Sequence, residues 1–422
     1  MPDLRAVKGM NDVLPDEAVR FQRIEEAFRQ AARRAAYAEV RTPLVEPTDL
    51  FVRSIGEATD IVGKEMYTFV DKGEDRLTIR PEGTASAVRA YVEHAIHGKE
   101  PISKWWYVGS MFRRERPARG RLRQFTQAGL ECFGDPGPYV DAEMIDLVVG
   151  LLESLGVLDV EVLVNSLGDH AARERYREAL VAHLTPSKDR LSEESQRRLS
   201  TNPLRILDSK SPGDQELCAG APTIVDFLGD GDRAHFETLT RTLDALGTKY
   251  RVEPRLVRGL DYYSRTLFEI QGRGGELGAQ NALCGGGRYD GLVKALGGPD
   301  VPSIGFAMGI ERILLALPAE PPAAAIDVAV VCADDTQRQA ACVLLRDLRR
   351  AGASADADLR GQSVKSQLRR ADKLGARVVL FLGAQEAERG VVSVKNMRAH
   401  SQSDVAREGV VAEALRIARE PA

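Results

Sequence analysis

The sequence predicts an α+β chain of more than one domain, and three features carry that reading. Two pairs of alternating runs, Met66–Pro81 and Tyr107–Gly134, read as antiparallel β-hairpins. From about residue 170 to 250 the texture changes to charge-rich helical stretches with few strand signals, as in an inserted helical module. PAEPPAAA at Pro318–Ala325 then reads as a linker. Beyond it strand and helix alternate through an independent α/β domain.

The 422 residues are too many for one compact core, so two or three domains are expected. With 43% hydrophobic and 28% charged residues the composition is that of a globular protein. No run approaches the roughly 18 apolar residues of a membrane span, and MPDLRAVKGMNDVLPDE lacks the apolar core of a signal peptide. The 5 cysteines are scattered, with no CxxC pair, which speaks against structural zinc and a disulfide framework. A reducing cytoplasm is therefore expected. A net charge of −4 argues against indiscriminate nucleic-acid binding but allows a local basic patch.

Val13–Tyr37 carries Ile24, Ala27, Phe28, Ala31 and Ala35 at helical spacing, with Asp16 after Pro15 at its start. Ala38–Pro47 is short and extended, and its two prolines suit an edge strand. The Met66–Pro81 hairpin turns at Asp71–Asp75 and runs into Glu82-Gly83-Thr84, ahead of a helix over Ala85–His97. Glu82 and Thr84 thus sit at a strand-to-helix turn, where they either cap the helix or face a ligand. Asp141–Leu155 reads as an amphipathic helix capped by Asp141 and stopped at Gly156, and Val160–Val164 as a buried strand. Strand character returns over Leu256–Gln271, followed by the glycine-dense Gly272–Gly291. Ser303–Ala307 is an expected strand and Met308–Leu317 a helix. In the last domain Ile326–Cys332, Asp335–Ala351, Ser363–Leu374, Ala376–Leu382, Val391–Val394 and Asp404–Ile417 alternate strand and helix. Ser363–Leu374 shows a basic face of Lys365, Arg369, Arg370 and Lys373, as many solvated helices do.

The second hairpin is the chemically dense stretch. Between Arg113 and Arg123 lie 6 arginines and one acid, Glu115, around Pro117 and Gly120. Alternation then puts Arg123, Phe125, Gln127, Gly129 and Glu131 on one face of the returning strand. A cation, a ring, an amide, a bare glycine and a carboxylate in one line fit a groove for an extended ligand with an anionic middle. Arg113 and Arg121 lie in the hairpin stretch and Arg258 and Arg312 in two others, the first three each beside glycine or an aromatic residue. Several guanidinium groups converging on one groove point to a polyphosphate. There is no GxxxxGK[ST] loop and no strand-turn-helix GxGxxG; if ATP binds, it is by arginines and metal rather than by a phosphate loop. None of the 6 histidines lies in these stretches and no nucleophile–base pattern is present. Positioning and charge stabilisation are favoured over covalent catalysis.

The set RPEGT (Arg80–Thr84), FRRERPARGRLRQF (Phe112–Phe125), LVRGLDYYSRTLFEI (Leu256–Ile270), GGGRYDGL (Gly285–Leu292) and GFAMGIER (Gly305–Arg312) resembles the histidyl-tRNA synthetases, class II aminoacyl-tRNA synthetases. KGMNDVLP (Lys8–Pro15) and SVKSQLRRADKLGA (Ser363–Ala376) extend the likeness to both ends, and RGLDYY is its most specific part. The resemblance implies a class II antiparallel sheet flanked by helices, which the hairpins fit better than a doubly wound sheet. It implies a catalytic domain over residues 1–320 with the insertion at about 170–250, a linker at 318–325, and an anticodon-binding domain over 326–422.

It also implies two steps, ATP-dependent formation of histidyl-adenylate and transfer of histidine to the end of tRNA-His. Mg2+ would come mainly on the ATP phosphates, and the enzyme would be a homodimer joined near Val13–Pro47. By resemblance Arg113 and Arg258 grip the α-phosphate from opposite sides, Arg258 as principal catalytic cation. Arg312 and Phe125 sandwich adenine, Arg121 faces the outer phosphates, and Glu115 lies near the adenine amino group. Glu82, Gly83, Thr84 and Gln127 hold the α-amino end of histidine, while Glu131, Tyr262 and Tyr263 surround the imidazole. A regular strand would point Tyr262 and Tyr263 to opposite faces, so either the backbone bends there or one of them is structural. Two other readings share parts of the pattern: a non-catalytic histidine-sensing paralogue, and a class II synthetase for another amino acid.

Overall fold

The structure is a computed structural model that describes residues 4–57, 59–274, 277–278, 281–318 and 326–420. It falls into two compact units, Met1–Pro318 and Ala319–Ala422. Beyond Pro318, the linker expected at 318–325 lies outside the described residues.

In the first unit, helix α1 (Pro15–Arg34) opens on a proline with Asp16 and Glu17 in its first turn and closes on Arg33 and Arg34, complementing the helix dipole. Its buried stripe, Phe21, Ile24, Phe28 and Ala32, packs into the main core. The extended segment that follows is two strands in two sheets: β1 (Ala38–Glu39) and β2 (Val45–Pro47). After helix α2 (Thr48–Ile55), the first hairpin forms as β3 (Tyr67–Val70) and β4 (Arg76–Ile79). With β2 these make a small sheet in the order β2-β4-β3. Helix α3 spans Thr84–Glu93.

The second hairpin, β5 (Ser103–Phe112) and β6 (Gln124–Phe133), pairs from Ser103 opposite Phe133 to Phe112 opposite Gln124. Helix α4 (Pro138–Ser154) begins earlier than expected, with a proline in its first turn, and Asp141 is not its cap. Asp141 is fully buried and pairs instead with the equally buried Arg288 at 2.7 Å, while Thr266 Oγ1 and His235 Nε2 contact its Oδ2 at 2.5 and 2.9 Å. A carboxylate this deep needs such partners. Strand β7 (Val160–Ser166) leads into α5 (His170–Leu184), α6 (Glu193–Thr201) and α7 (Pro212–Ala219). These helices share a small core of their own, including Tyr176, Leu180, Leu199 and Cys218. Helix α8 (Asp230–Leu246) behaves differently: Phe236, Leu239 and Leu243 join the main core with residues of α4.

Strand β8 (Arg251–Val252) is followed by loop rather than by the long strand expected from Leu256; β9 covers only Ser264–Gly272. The glycine-dense stretch holds an unexpected strand, β10 (Ala282–Arg288), then the short helix α9 (Leu292–Ala295). Strand β11 (Ser303–Gly309) and helix α10 (Ile310–Ala316) complete the unit. The large sheet has 8 strands in the order β1-β5-β6-β11-β10-β9-β7-β8. From β5 to β7 every pairing is antiparallel, and the edge strands β1 and β8 pair parallel. The mixed α+β architecture expected from the hairpins is therefore present. Helices α1, α4, α8 and α10 bury the apolar residues of one sheet face, while the other carries smaller apolar clusters, among them Leu163 with Leu267 and Phe133 with Tyr91, between its polar side chains.

The second unit is an α/β body: β12 (Val328–Cys332), α11 (Arg338–Arg350), β13 (Ala355–Ala357), α12 (Val364–Lys373), β14 (Val378–Leu382), α13 (Ala384–Glu388), β15 (Val391–Asn396), β16 (Ser401–Ala406) and α14 (Val410–Arg419). Its sheet runs β13-β12-β14-β15-β16, parallel through β14 and antiparallel after it. The helix expected from Asp404 starts only at Val410, because Asp404 pairs with Ser393 as part of β16. On α12, Lys365, Arg369 and Lys373 are exposed, and Arg370 Nε donates to Asp356 Oδ2 at 3.2 Å.

Candidate active site

The polar sheet face carries a cavity of about 130 Å3, lined by strand β6, the arginine-rich loop before it, the loop before β9, strand β10 and the start of α10. On β6, Ala128, Leu130 and Cys132 point into the core, while Phe125 and Gln127 line the cavity.

Glu131 lies at the deep end and is fully buried. Three hydroxyl groups donate to it: Thr84 Oγ1 to Oε1 at 2.7 Å, Tyr107 Oη to Oε1 at 3.2 Å, and Tyr289 Oη to Oε2. Burial pushes the Glu131 carboxyl up to about 8, although the Tyr289 and Thr84 hydroxyls pull the other way. Space for it comes from Gly305 on β11, where a Cβ would collide with Glu131 Oε2.

Glu82 plays both parts left open by its position. Its Oε2 accepts the Thr84 N–H at 2.7 Å and Oε1 the Ala85 N–H at 2.8 Å, so it caps α3 while also lining the cavity. Burial raises its carboxyl above the usual range against those same bonds. Gly83 donates its N–H to Gln127 Oε1 at 3.2 Å, fastening the turn to β6. Arg80 does not reach the cavity wall: it donates to the Ser110 carbonyl at 3.1 Å and to Thr42 Oγ1 at 2.9 Å, and so supports the hairpin.

The loop before β9 brings Arg258, Tyr262 and Tyr263 to the same cavity. Because residues 256–263 are not a strand, the two tyrosines need not alternate; both line the cavity, with ring centroids 4.7 Å apart. Tyr262 also meets the Tyr289 ring edge-on at 5.7 Å. Burial pushes the Tyr263 hydroxyl up to about 12. Arg258 Nη1 donates to Glu269 Oε2, and although burial disfavours the charged guanidinium, that carboxylate together with Tyr263 and Cys284 raises its proton affinity. The Arg258 side chain crosses Gly285 of β10, where a Cβ would collide with the guanidinium.

At the outer end the Arg113 guanidinium lies 5.3 Å from the Phe125 ring centroid, and its Nε donates to the Pro81 carbonyl at 2.9 Å. Arg121 sits 3.6 Å from Glu115. Arg312 donates to the carbonyls of Gly120 and Ala282 at 3.0 and 2.9 Å, and burial with the nearby Arg121 lowers its proton affinity. Glu311 accepts the Thr126 N–H at 2.7 Å, and burial pushes its carboxyl up to about 7.

Eleven of the thirteen residues singled out in the sequence line the cavity directly; Gly83 and Glu131 sit immediately behind, tied to Gln127 and Thr84. Tyr107, Tyr289 and Glu269 were missed. Tyr289 lies inside GGGRYDGL, so a polar ring within a glycine run was its available signal. Glu269 alternates with apolar Phe268 and Ile270 on β9, which marked it as facing away from the core. Among the described residues no group of three or more His, Cys, Asp and Glu side chains could hold a metal ion.

A family model described as Histidyl-tRNA synthetase matches residues 9–313, and one described as Anticodon binding domain matches residues 327–417. The histidine–tRNA ligase of Sorangium cellulosum is 56% identical over 407 residues, covering 96% of this chain and 95% of that protein. The apo histidyl-tRNA synthetase of S. aureus, at 38% identity, superposes with a TM-score of 0.82 over 97% of this chain and 99% of that one. A Bacillus halodurans structure titled ATP phosphoribosyltransferase regulatory subunit/histidyl-tRNA synthetase reaches a TM-score of 0.66 at 20% identity, over 90% of this chain and 98% of its own, a likeness of fold alone. With this sheet, this cavity and relatives matched over nearly their whole length, the chain belongs to the histidyl-tRNA synthetase family.

Proposed function

We propose that the chain is a histidine–tRNA ligase, which forms histidyl-adenylate and diphosphate from histidine and ATP and then charges tRNA-His. One observation supports this above the others: a single groove runs from Thr84, whose hydroxyl donates to the buried, hydroxyl-ringed Glu131 just behind the wall, to an end lined by Arg113, Arg121, Arg258 and Arg312. Histidine needs the first end and a triphosphate the second.

In the activation step a histidine carboxylate oxygen bonds to the α-phosphorus while the bond to the bridging oxygen of the β-phosphate breaks, releasing diphosphate. Negative charge builds on the α-phosphate oxygens, and fixed cations stabilise it without reorganising. Arg258, held by Glu269, and Arg113, held by the Pro81 carbonyl, take that role in this reading, which their positions on the cavity wall support. Phe125 and Arg312 offer adenine a ring and a planar cation, with Glu115 beside Arg121 at the same end. ATP enters as its Mg2+ complex, the metal being part of the substrate. At the deep end, Glu82, Thr84, Gln127 and the Gly83 turn receive the α-amino group. Tyr262, Tyr263 and, behind them, Glu131 with its ring of hydroxyl donors receive the imidazole.

In the second step a ribose hydroxyl of the tRNA terminal adenosine attacks the histidyl carbonyl and AMP leaves. The second unit, matched by the anticodon-binding family, would contact the anticodon stem through the exposed Lys365, Arg369 and Lys373 of α12. A homodimer in the cytoplasm completes the reading. No helix among the described residues is long and apolar enough to cross a membrane. The exposed Leu44, Val45, Phe69 and Val70 around the small sheet support a contact between copies there better than α1 does, whose apolar stripe is taken up by its own core.

ATP–diphosphate exchange measured over a panel of amino acids tests the proposal. Exchange should require histidine; folded protein that exchanges with another amino acid, or with none, would refute it.

A further inference from the structure

The loop that carries Arg258, Tyr262 and Tyr263 has two sides. One faces the cavity. The other faces the helical insertion, across a second cavity of about 200 Å3 lined among others by Arg173, Asn202, Asp261 and Tyr263. From α5, Arg173 Nη1 donates to the main-chain carbonyl of Tyr263 at 2.8 Å and to that of Asp261 at 3.3 Å. From the turn after α6, Asn202 Nδ2 donates to Asp261 Oδ1 at 2.9 Å. The Asp261 N–H in turn donates to the Ile55 carbonyl at 3.1 Å, at the end of α2. The Asp261 carboxylate packs over Gly56, where a Cβ would come within 2.7 Å of Oδ2.

A loop outside any sheet has carbonyls that need partners, and here the insertion supplies them. One guanidinium nitrogen shared between two carbonyls fixes the spacing of Asp261 and Tyr263, and so the direction in which both tyrosines leave the backbone. Neither Arg173 nor Asn202 lines the first cavity. Arg258 has its own anchor in Glu269, so the hold from the insertion bears mainly on the tyrosine end of the loop.

We infer that Arg173, assisted by Asn202, is a positioning residue for histidine recognition: the insertion clamps the loop from behind at Asp261 and Tyr263. The inference rests on the histidine-activation reading given above. It assigns the insertion a part in amino-acid selection, carried by its fixed contact with the loop. Arg177, one turn further along α5 and 3.4 Å from Glu174, makes no such contact and serves as the comparison.

The test uses the full-length chain in ATP–diphosphate exchange, with hydrogen exchange read at the loop amides. Arg173→Ala should raise the histidine KM about tenfold, with ATP KM and kcat within about threefold of wild type. Arg173→Lys, which keeps one donor, should recover part of the loss, and Arg177→Ala should match wild type. In the same Arg173→Ala protein, amides of residues 259–263 should exchange faster while those of β9 stay protected. An unchanged histidine KM, or histidine and ATP KM rising together, would overturn the inference while leaving wild-type activity intact. If wild-type protein showed no histidine-dependent exchange, the enzyme reading would fall instead. Loop amides in Arg173→Ala would still decide the clamp, and unaltered protection would end it.

Discussion

Arg258 and Glu269 form a direct ion pair at the cavity wall, the arginine coming from a loop and the glutamate from strand β9. The pair keeps a cation aimed across Gly285 instead of leaving it to wander in the cavity. Losing that aim should cost more than losing the negative charge of Glu269 alone. Glu269→Ala should therefore lower the exchange rate by about 10- to 100-fold, mostly in kcat. Glu269→Gln keeps an acceptor oxygen and should lose less than about tenfold. Steady-state exchange kinetics of the two variants decide; equal losses would mean that charge, not placement, is what Glu269 supplies.

Arg258→Ala removes the cation itself. Adenylate formation should fall by roughly 100- to 1000-fold, with little change in histidine affinity, because the contact strengthens only as charge gathers on the α-phosphate. Single-turnover adenylate formation, alongside direct histidine binding, separates the two. A near-wild-type rate would remove Arg258 from the mechanism.

Much of this site is legible in the sequence. Period-two alternation alone placed Phe125, Gln127 and Glu131 on one face of β6, because a strand with one side in the core has no other choice. The glycine run resisted the same treatment. Gly285, Gly286 and Gly287 have no side chains to alternate, so β10 gave no strand signal, and Tyr289 beyond it was not connected to Glu131. Asp141 resembled a helix cap because an acid ahead of an apolar run usually is one; its real partner, Arg288, lies 147 residues away. Asp404 misled in the opposite direction, as the polar strand β16 shows four exposed residues at its start and little apolar alternation. Local chemistry exposed the groove, while the contacts that brace it join distant stretches.

Tyr289→Phe deletes one of the three hydroxyl donors to Glu131 and keeps the ring. An unmade bond to a buried carboxyl should raise the histidine KM about tenfold, near 1.4 kcal/mol, and leave ATP KM unchanged. Isothermal titration of histidine into the variant gives the number. Undiminished affinity would show that Tyr107 and Thr84 suffice.

The Glu131 carboxyl titrates near 8 in the folded chain against an ordinary value of 4.5. Between those values the folded chain holds a proton that the unfolded chain has released, so this group's contribution to stability is complete below the lower value and is lost as pH rises through the upper one. Glu311, pushed up to about 7, acts in the same direction. The thermal midpoint of ligand-free Glu131→Gln should therefore fall less between pH 6 and pH 9 than that of wild type, since the amide does not titrate. Parallel curves for the two proteins would contradict the assignment.

Removing residues 326–422 should separate the two half-reactions. Histidine-dependent exchange should survive better than tRNA charging, because every residue of the groove lies in the first unit. Equal losses in both assays would count against a tRNA-binding role for the second unit.

The central claim is tested most directly by charging itself. Purified full-length chain, given ATP, Mg2+, radiolabelled histidine and a tRNA-His transcript, should yield histidyl-tRNA, and a transcript for another amino acid should not be charged. Folded protein that leaves tRNA-His uncharged under conditions where a known histidine–tRNA ligase charges it would contradict the account.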